Sequence, residues 1–266
     1  MRYINHIGEV IDFGAGNILI NENDFRNYSW KHTALYSKIA YFSKDIVTKS
    51  LPVIVYGEKR IETANRIYEI IERDVIGEKM GKMCIGDYYI KGYFYASEKE
   101  EYTSSNSITI KLKFISDQEN WIKENLYTYR LNDLVENDRG LGYAYGYPYD
   151  FLSSINTQNL YNTFFADANL ILRIYGPVIN PSITIADNMY QVNTELLANE
   201  YLTINTLEKT IIKTTSKGAE INEYAKRSLA NYVFKKIPAG TNNVVANPDC
   251  NFDIVIIEER SEPKWI

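Results

Sequence analysis

Apolar residues alternate every second position through most of this chain, and the period lengthens clearly in one stretch only. Between residues 58 and 75, Ile61, Ala64, Tyr68, Ile71 and Val75 recur at spacings of three and four, which places them on one face of an α-helix. Glu62, Glu69, Glu72 and Arg73 fall mostly on the other faces, and Gly77 ends the element. One amphipathic helix among many strands has only a sheet on which to bury its apolar stripe. The expected fold is therefore mainly β, built of β-sandwich domains with one amphipathic α-helix.

The strands of the first half can be read off directly. Residues 8–13 and 17–20 flank Gly14-Ala15-Gly16-Asn17, a turn between two short strands. A dinucleotide fingerprint would need a third glycine and a following helix, and neither is there. Residues 51–56 (LPVIVY) form a strand with proline at its start, where a missing N–H is tolerated. Residues 87–97 and 107–116 make a long hairpin in which Ile108, Ile110, Leu112 and Phe114 alternate cleanly. Its tip, Glu98-Lys99-Glu100-Glu101, reads as a solvated charged turn rather than a cation site.

Beyond residue 117 the pattern loosens. Trp121 and Ile122 sit in a polar stretch, LNDLVENDRG reads as a loop, and GLGYAYGYPYD follows. If extended, that last run puts Tyr143, Tyr145, Tyr147 and Tyr149 on one face at intervals of roughly 6.6 Å. Such a shift in composition marks a connection between domains. The expected division is residues 1–140, a β-rich domain with one helix, and residues 141–266, a sandwich. In the second part, strands at 171–175, 182–185, 189–192, 200–205, 210–213 and 253–257 are separated by short turn signals. Asn205-Thr206-Leu207-Glu208 turns a hairpin, 228–234 reads as irregular or a helical turn, and 238–243 (PAGTNN) as a tight turn.

Composition narrows the function. The formal charge is −5, which disfavours nucleic acid as a partner, since phosphate binding calls for a basic surface. No apolar run reaches 18 residues, so no membrane-spanning helix is expected, and MRYINHIGEVIDFG shows no secretory signal. Cys84 and Cys250 are expected as buried thiols rather than a disulfide. His6 and His32 are the only histidines, and no CxxC or HxxxH spacing exists. No metal, cofactor or catalytic residue is therefore assigned. A glycosidase needs two converging carboxylates. Glu258 and Glu259 are adjacent, so on a strand they face opposite ways and read as edge-strand and tail charges. The remaining excess is aromatic: 23 tyrosines, a side chain suited to sheets and to protein interfaces.

Four runs carry a family resemblance: YGPVINPSITI (175–185), NEYLTINTLEKTI (199–211), FKKIPAGTNNV (234–244) and IIEERSEPKWI (256–266). Together they resemble the C-terminal domain of siphophage distal tail proteins, the baseplate hubs that cap the tube of long non-contractile phage tails. The order strand, helix, strand, long hairpin in the first half is similar as well. The resemblance implies an N-terminal β-rich domain that assembles into a hexameric ring, and a galectin-like C-terminal sandwich on the periphery. It implies a non-enzymatic virion protein of the tail tip, present in the host cytoplasm during assembly. Its partners would be further copies of itself, a tail-tube protein and a tail-tip or tail-associated protein, with a receptor-binding protein as a further candidate; no specific nucleic acid and no membrane is implied. Candidate interface residues are Tyr88, Tyr93 and Tyr95 on the long hairpin, and Tyr143, Tyr145 and Tyr147 in the connection. The competing reading is a galectin-like carbohydrate-binding protein acting in host-surface recognition.

Overall fold

The computed structural model describes residues 1–99, 106–118, 120–130, 157–246 and 250–265. Their contacts group into two compact units, Met1–Lys123 with Glu259–Ile266 and Glu124–Glu258. The expected boundary at 140/141 lies outside the described residues. What the sequence reading did not foresee is that the last eight residues return to the first unit.

The first unit contains β1 (Arg2–Ile4), β2 (Val10–Asp12), β3 (Ile18–Ile20), β4 (Lys31–Leu35), β5 (Lys38–Ser43), β6 (Val47–Tyr56), α1 (Arg60–Ile76), β7 (Gly81–Ile85), β8 (Tyr88–Lys99), β9 (Ser107–Ser116) and the start of β10 (Trp121–Tyr129). Antiparallel pairing runs β2-β1-β7-β8-β9-β6-β3. The turn at residues 14–17 therefore joins strands that pair with different partners, and it is not a hairpin. Strand β6 begins earlier than expected, so Pro52 sits inside it. Its carbonyl accepts from Asn21 N at 3.1 Å, just past the last β3 pair, Ile20 with Val53. The missing N–H thus falls on the β3 side, where pairing stops, and the long β6–β9 ladder loses nothing.

Strand β8 changes partner along its length. Its first half pairs with β7, and Tyr93 to Lys99 pair with β9 through a bulge at Tyr95. Between the β9 and β10 pairings, side chains complete the ladder at Lys91. Ser116 Oγ donates to its carbonyl at 2.5 Å, and its N–H donates to Gln118 Oε1 at 2.9 Å.

Helix α1 packs on this sheet through a face rotated from the one the spacing predicts, with Ala64 and Ile71 common to both. Its buried residues are Ala64, Ile67, Ile70, Ile71 and Asp74, while Ile61 and Val75 are about half exposed and Tyr68 packs at the margin. The cause is Asp74. Tyr3 Oη donates to its carboxylate at 2.5 Å, and His6 N at 2.8 Å, so the helix is rotated to turn a polar residue inward. Two substitutions separate the alternatives. Ile67→Ala should cost about 2–4 kcal/mol through transfer and cavity terms, whereas Ile61→Ala should stay within about 0.5 kcal/mol. Denaturant midpoints of the two variants check this, and equal losses would restore the face read from the sequence.

The second unit is a β-sandwich. Its strands are the rest of β10, then β11 (Thr157–Asn162), β12 (Asn169–Tyr175), β13 (Val178–Ile179), β14 (Ser182–Ile185), β15 (Asn188–Gln191), β16 (Glu195–Leu196), β17 (Tyr201–Asn205), β18 (Thr210–Thr214), β19 (Glu220–Asn222), β20 (Gly240–Ala246) and β21 (Asn251–Arg260). One sheet runs β19-β18-β17-β12-β21, and the facing one β11-β20-β14-β15. Leu170, Leu172, Ile174, Leu202, Ile204 and Ile254 from the first meet Leu160, Ile183, Ile185, Tyr190 and Val244 from the second in one core. Residues 238–243 prove not to be a tight turn. From Gly240 onward they are β20, paired with β11. Both strands escape a hydrophobic pattern because they bury asparagines. Asn162 Nδ2 donates to the carbonyls of Ala166, Ile237 and Pro238, and Asn242 Nδ2 to those of Pro238 and Gly240.

Candidate assembly surface

The exposed apolar surface of the first unit concentrates on a hairpin. Strands β4 and β5 pair only with each other among the described residues. Every residue in them is exposed except Thr33, which is half-buried. Leu35, Ile39, Tyr41 and Phe42 are each more than half exposed, and Tyr36 at the tip is fully so. Leu35 pairs with Lys38, and the adjacent Ala34 pairs with Ile39. Leu35 and Ile39 therefore lie on opposite faces of the ribbon. A two-stranded ribbon that is apolar on both sides is marginal in water by itself, and contiguous exposed apolar surface marks a contact site.

The turn explains why the sequence hides this element. Tyr36 and Ser37 have φ of 48° and 65°, the two positive values of a type I′ hairpin turn. That turn is ordinarily signalled by Asn-Gly or Asp-Gly. Here neither position is glycine, so each residue is held in a left-handed conformation that costs about 1 kcal/mol or more. Tyr36→Asn with Ser37→Gly should relieve that strain. Amide hydrogen exchange across β4 and β5 should slow about fivefold for each 1 kcal/mol gained. Unchanged exchange would show that the turn is not what limits hairpin opening.

The root of the hairpin is braced. Lys31 pairs with Asp45. Lys44 Nζ donates to Asn120 Oδ1 and, at 2.8 Å, to Ser261 Oγ, and it lies 4.4 Å over the Trp30 ring. Lys49 donates to the carbonyls of Asp24 and Asn27, and burial pulls its ammonium below the usual lysine range, with Asp24 opposing. Lys31, Lys44, Asp45, Lys49 and Ser261 line a cleft of about 390 Å³ with Trp121. The C-terminal segment closes on the same region: Arg26 Nη1 donates to the Pro263 carbonyl at 2.9 Å, pairs with Glu262 at 3.5 Å and lies 4.0 Å from the centre of the Trp265 ring. The arm thus projects from a fixed base.

The residues singled out from the sequence fare unevenly. Tyr88 is buried in the core of the first unit, where it can offer nothing to a partner; Tyr93 is half-buried opposite Ile115, and Tyr95, the bulged residue, is half exposed. The hairpin that carries them is paired on both edges within the sheet, and does not project. Tyr143, Tyr145, Tyr147 and Tyr149 lie outside the described residues, as do Glu100 and Glu101 of the acidic tip; Glu98 and Lys99 end β8. Glu258 is not a tail charge: it is buried, and its Oε1 accepts from Asn125 Nδ2 at 3.0 Å and Thr163 Oγ1 at 3.1 Å. Neither cysteine is in a disulfide; Cys250 is buried and Cys84 half-buried, with burial raising the Cys84 thiol above its ordinary range against the opposing charges of Lys82 and Arg2. Among the described residues no cluster of three His, Cys, Asp or Glu side chains is placed to hold a metal, and no helix is long and apolar enough to cross a membrane.

On the outer face of the second unit's larger sheet, Asp253 accepts from Tyr175 Oη at 2.6 Å and Arg130 Nη1 at 3.0 Å, and Arg173 lies 5.2 Å from the centre of the Tyr201 ring. Both carboxylate oxygens are thus engaged within the protein, which suits a surface brace better than a sugar site.

No family model matches the chain, and no curated protein does. Solved structures do. Over 98% of its length the chain is similar to 99% of a chain in the phage P2 baseplate, in its activated conformation with Ca, at 12% identity and a TM-score of 0.62. The same baseplate with Sr gives 0.61 at 12% identity over 98% and 99%. The SPP1 Dit protein, described as a paradigm of the hub adsorption apparatus in phages infecting Gram-positive bacteria, gives 0.57 at 12% identity, with 91% of this chain and 93% of that one covered. At this identity the similarity is one of fold, and it spans both units.

Proposed function

We propose that this chain is a distal tail, or baseplate hub, protein: a structural component of a phage or prophage tail tip that joins the tail tube to the tip and host-adsorption proteins. The observation that carries the reading is the end-to-end match in fold, 98% of this chain on 99% of a baseplate chain. The first unit is the ring-forming part. A ring needs a heterologous contact, one surface of each copy meeting a different surface of the next, and the β4–β5 arm supplies one such surface. The ring is a hexamer on this reading, with the second unit, a galectin-like sandwich, outside it. The partners are the tail-tube protein, a tail-tip or tail-associated protein and a receptor-binding protein. The chain works by position, in the virion tail tip after assembly in the host cytoplasm, and performs no chemistry.

Two measurements test this. The mass of the purified protein at high concentration should correspond to a closed oligomer, and antibody against the chain should label the tip of tails in negative-stain images. Label elsewhere, or none on intact tails, would sink the reading.

A further inference from the structure

We propose that the segment Tyr224–Phe234 of the second unit is a docking surface for an acidic protein segment carrying apolar anchors. The proposal rests on the tail-tip reading for where that partner is found, and on the surface itself for its chemistry.

The segment opens with a 3-10 turn, Tyr224–Lys226, and is fixed along its length. Asn193 N donates to the Lys226 carbonyl at 2.8 Å, Ser228 N to the Gln191 carbonyl at 2.9 Å, and Asn188 Nδ2 to the Tyr232 carbonyl at 3.1 Å. On that backbone the side chains form a ladder. The Arg227 guanidinium lies 4.1 Å from the centre of the Tyr224 ring, and its Nη1 donates to the Tyr224 carbonyl at 2.9 Å. Tyr224 stacks on Phe234, centroids 5.7 Å apart and planes 19° apart, and Tyr232 meets the same ring edge-on at 5.9 Å. Phe234 is buried and anchors the group, while Tyr232 is 57% and Leu229 84% exposed. Pinned aromatic and arginine side chains lose little freedom on binding, and these are the residue types that dominate interface energetics.

Charge selects the partner. Lys226, Arg227, Lys235 and Lys236 fall in residues 226–236, a run of sequence without Asp or Glu, and Lys226 pairs with the buried Glu223 at 2.7 Å. The chain as a whole carries −5. A cationic island on an anionic protein attracts an acidic partner and repels the same island on another copy. The rings sit between the cations, the layout of a protein interface with an apolar centre and charged rim, whereas a polyanion would be served by an unbroken basic array. A pyranose would need an open ring face, and Tyr224 already has Arg227 and Phe234 against it.

The test uses the full chain and overlapping synthetic peptides that cover the other proteins of purified particles, with binding read by fluorescence anisotropy. Acidic peptides bearing aromatic or aliphatic residues should bind, and added salt should weaken them. Arg227→Glu and Leu229→Ser should each weaken binding about tenfold or more with the melting temperature unchanged, and Leu19→Ser, at an exposed apolar site of the first unit, should do nothing. Equal binding of inorganic polyphosphate, lost in the same variants, would make this a polyanion site and overturn the proposal. A change in the protein's own mass in Arg227→Glu would make a second copy the occupant, with the same consequence. Failure of every peptide, with the chain present in particles, overturns the docking surface and leaves the tail-tip reading intact; absence of the chain from particles overturns both.

Discussion

Replacing Leu35, Ile39 and Tyr41 together by serine should turn the proposed ring into monomers without changing the chain's unfolding midpoint. Each of the three is more than half exposed in the isolated chain, so truncation removes little intramolecular burial, and surface changes of this kind stay within about 0.5 kcal/mol. In a ring the same side chains are covered by the neighbouring copy. Truncating a central apolar anchor there costs about 2 kcal/mol or more, and three at once lower the association constant by about ten-thousandfold or more. Light scattering at high protein concentration reads the mass, and calorimetry on the same sample confirms the fold. A triple variant that keeps both its mass and its midpoint would remove the arm from the contact and move attention to Tyr95 on the β8–β9 hairpin. Trp30 and Phe42 are left in place because they pack edge to face at 6.5 Å and hold the ribbon's shape.

What the sequence reveals here, and what it hides, follows from how each element is stabilised. Strands β9 and β17 bury every second residue, and their period is plain because burial alone dictates it. Strands β11 and β20 use Asn162 and Asn242 as buried braces, so the alternation that would identify them is broken by hydrogen bonding. The β4–β5 arm fails for the opposite reason: among the described residues nothing buries it, and its turn lacks the residues that announce a type I′ geometry. A surface whose partner is another molecule leaves only a weak intramolecular pattern. The tyrosines on β8 were the natural choice by residue type, yet Tyr88 serves the core because its strand is central rather than peripheral. The family resemblance reached the architecture of both units. It did not reach the arm.

Asp74→Leu should destabilise the first unit by about 3–5 kcal/mol, the cost of leaving buried polar partners without their charge. The carboxylate is fully buried and gathers three donors: Tyr3 Oη at 2.5 Å, His6 N at 2.8 Å and His6 Nδ1 at 2.5 Å. A carboxylate only accepts, so the Nδ1 nitrogen carries the hydrogen. Burial, reinforced by the bond to Asp74 and its charge, raises the Tyr3 hydroxyl well above the ordinary tyrosine range and keeps it a donor. The site is shaped for this bond. A Cβ on Gly81 would stand 2.3 Å from Tyr3 Oη and 2.4 Å from Asp74 Oδ2, so only glycine lets β7 pass beside it. Asp74→Asn should cost less, about 1–2 kcal/mol, because its amide can still accept from His6 and donate to the Tyr3 oxygen. Tyr3→Phe isolates one of the three bonds. In urea, the three variants should fall in the order Leu, then Asn, with Tyr3→Phe near Asn. If Asp74→Leu were as stable as the wild type, the helix would not be held by this carboxylate, and the rotation that buries Ile67 and Ile70 in place of Ile61 and Val75 would need another cause.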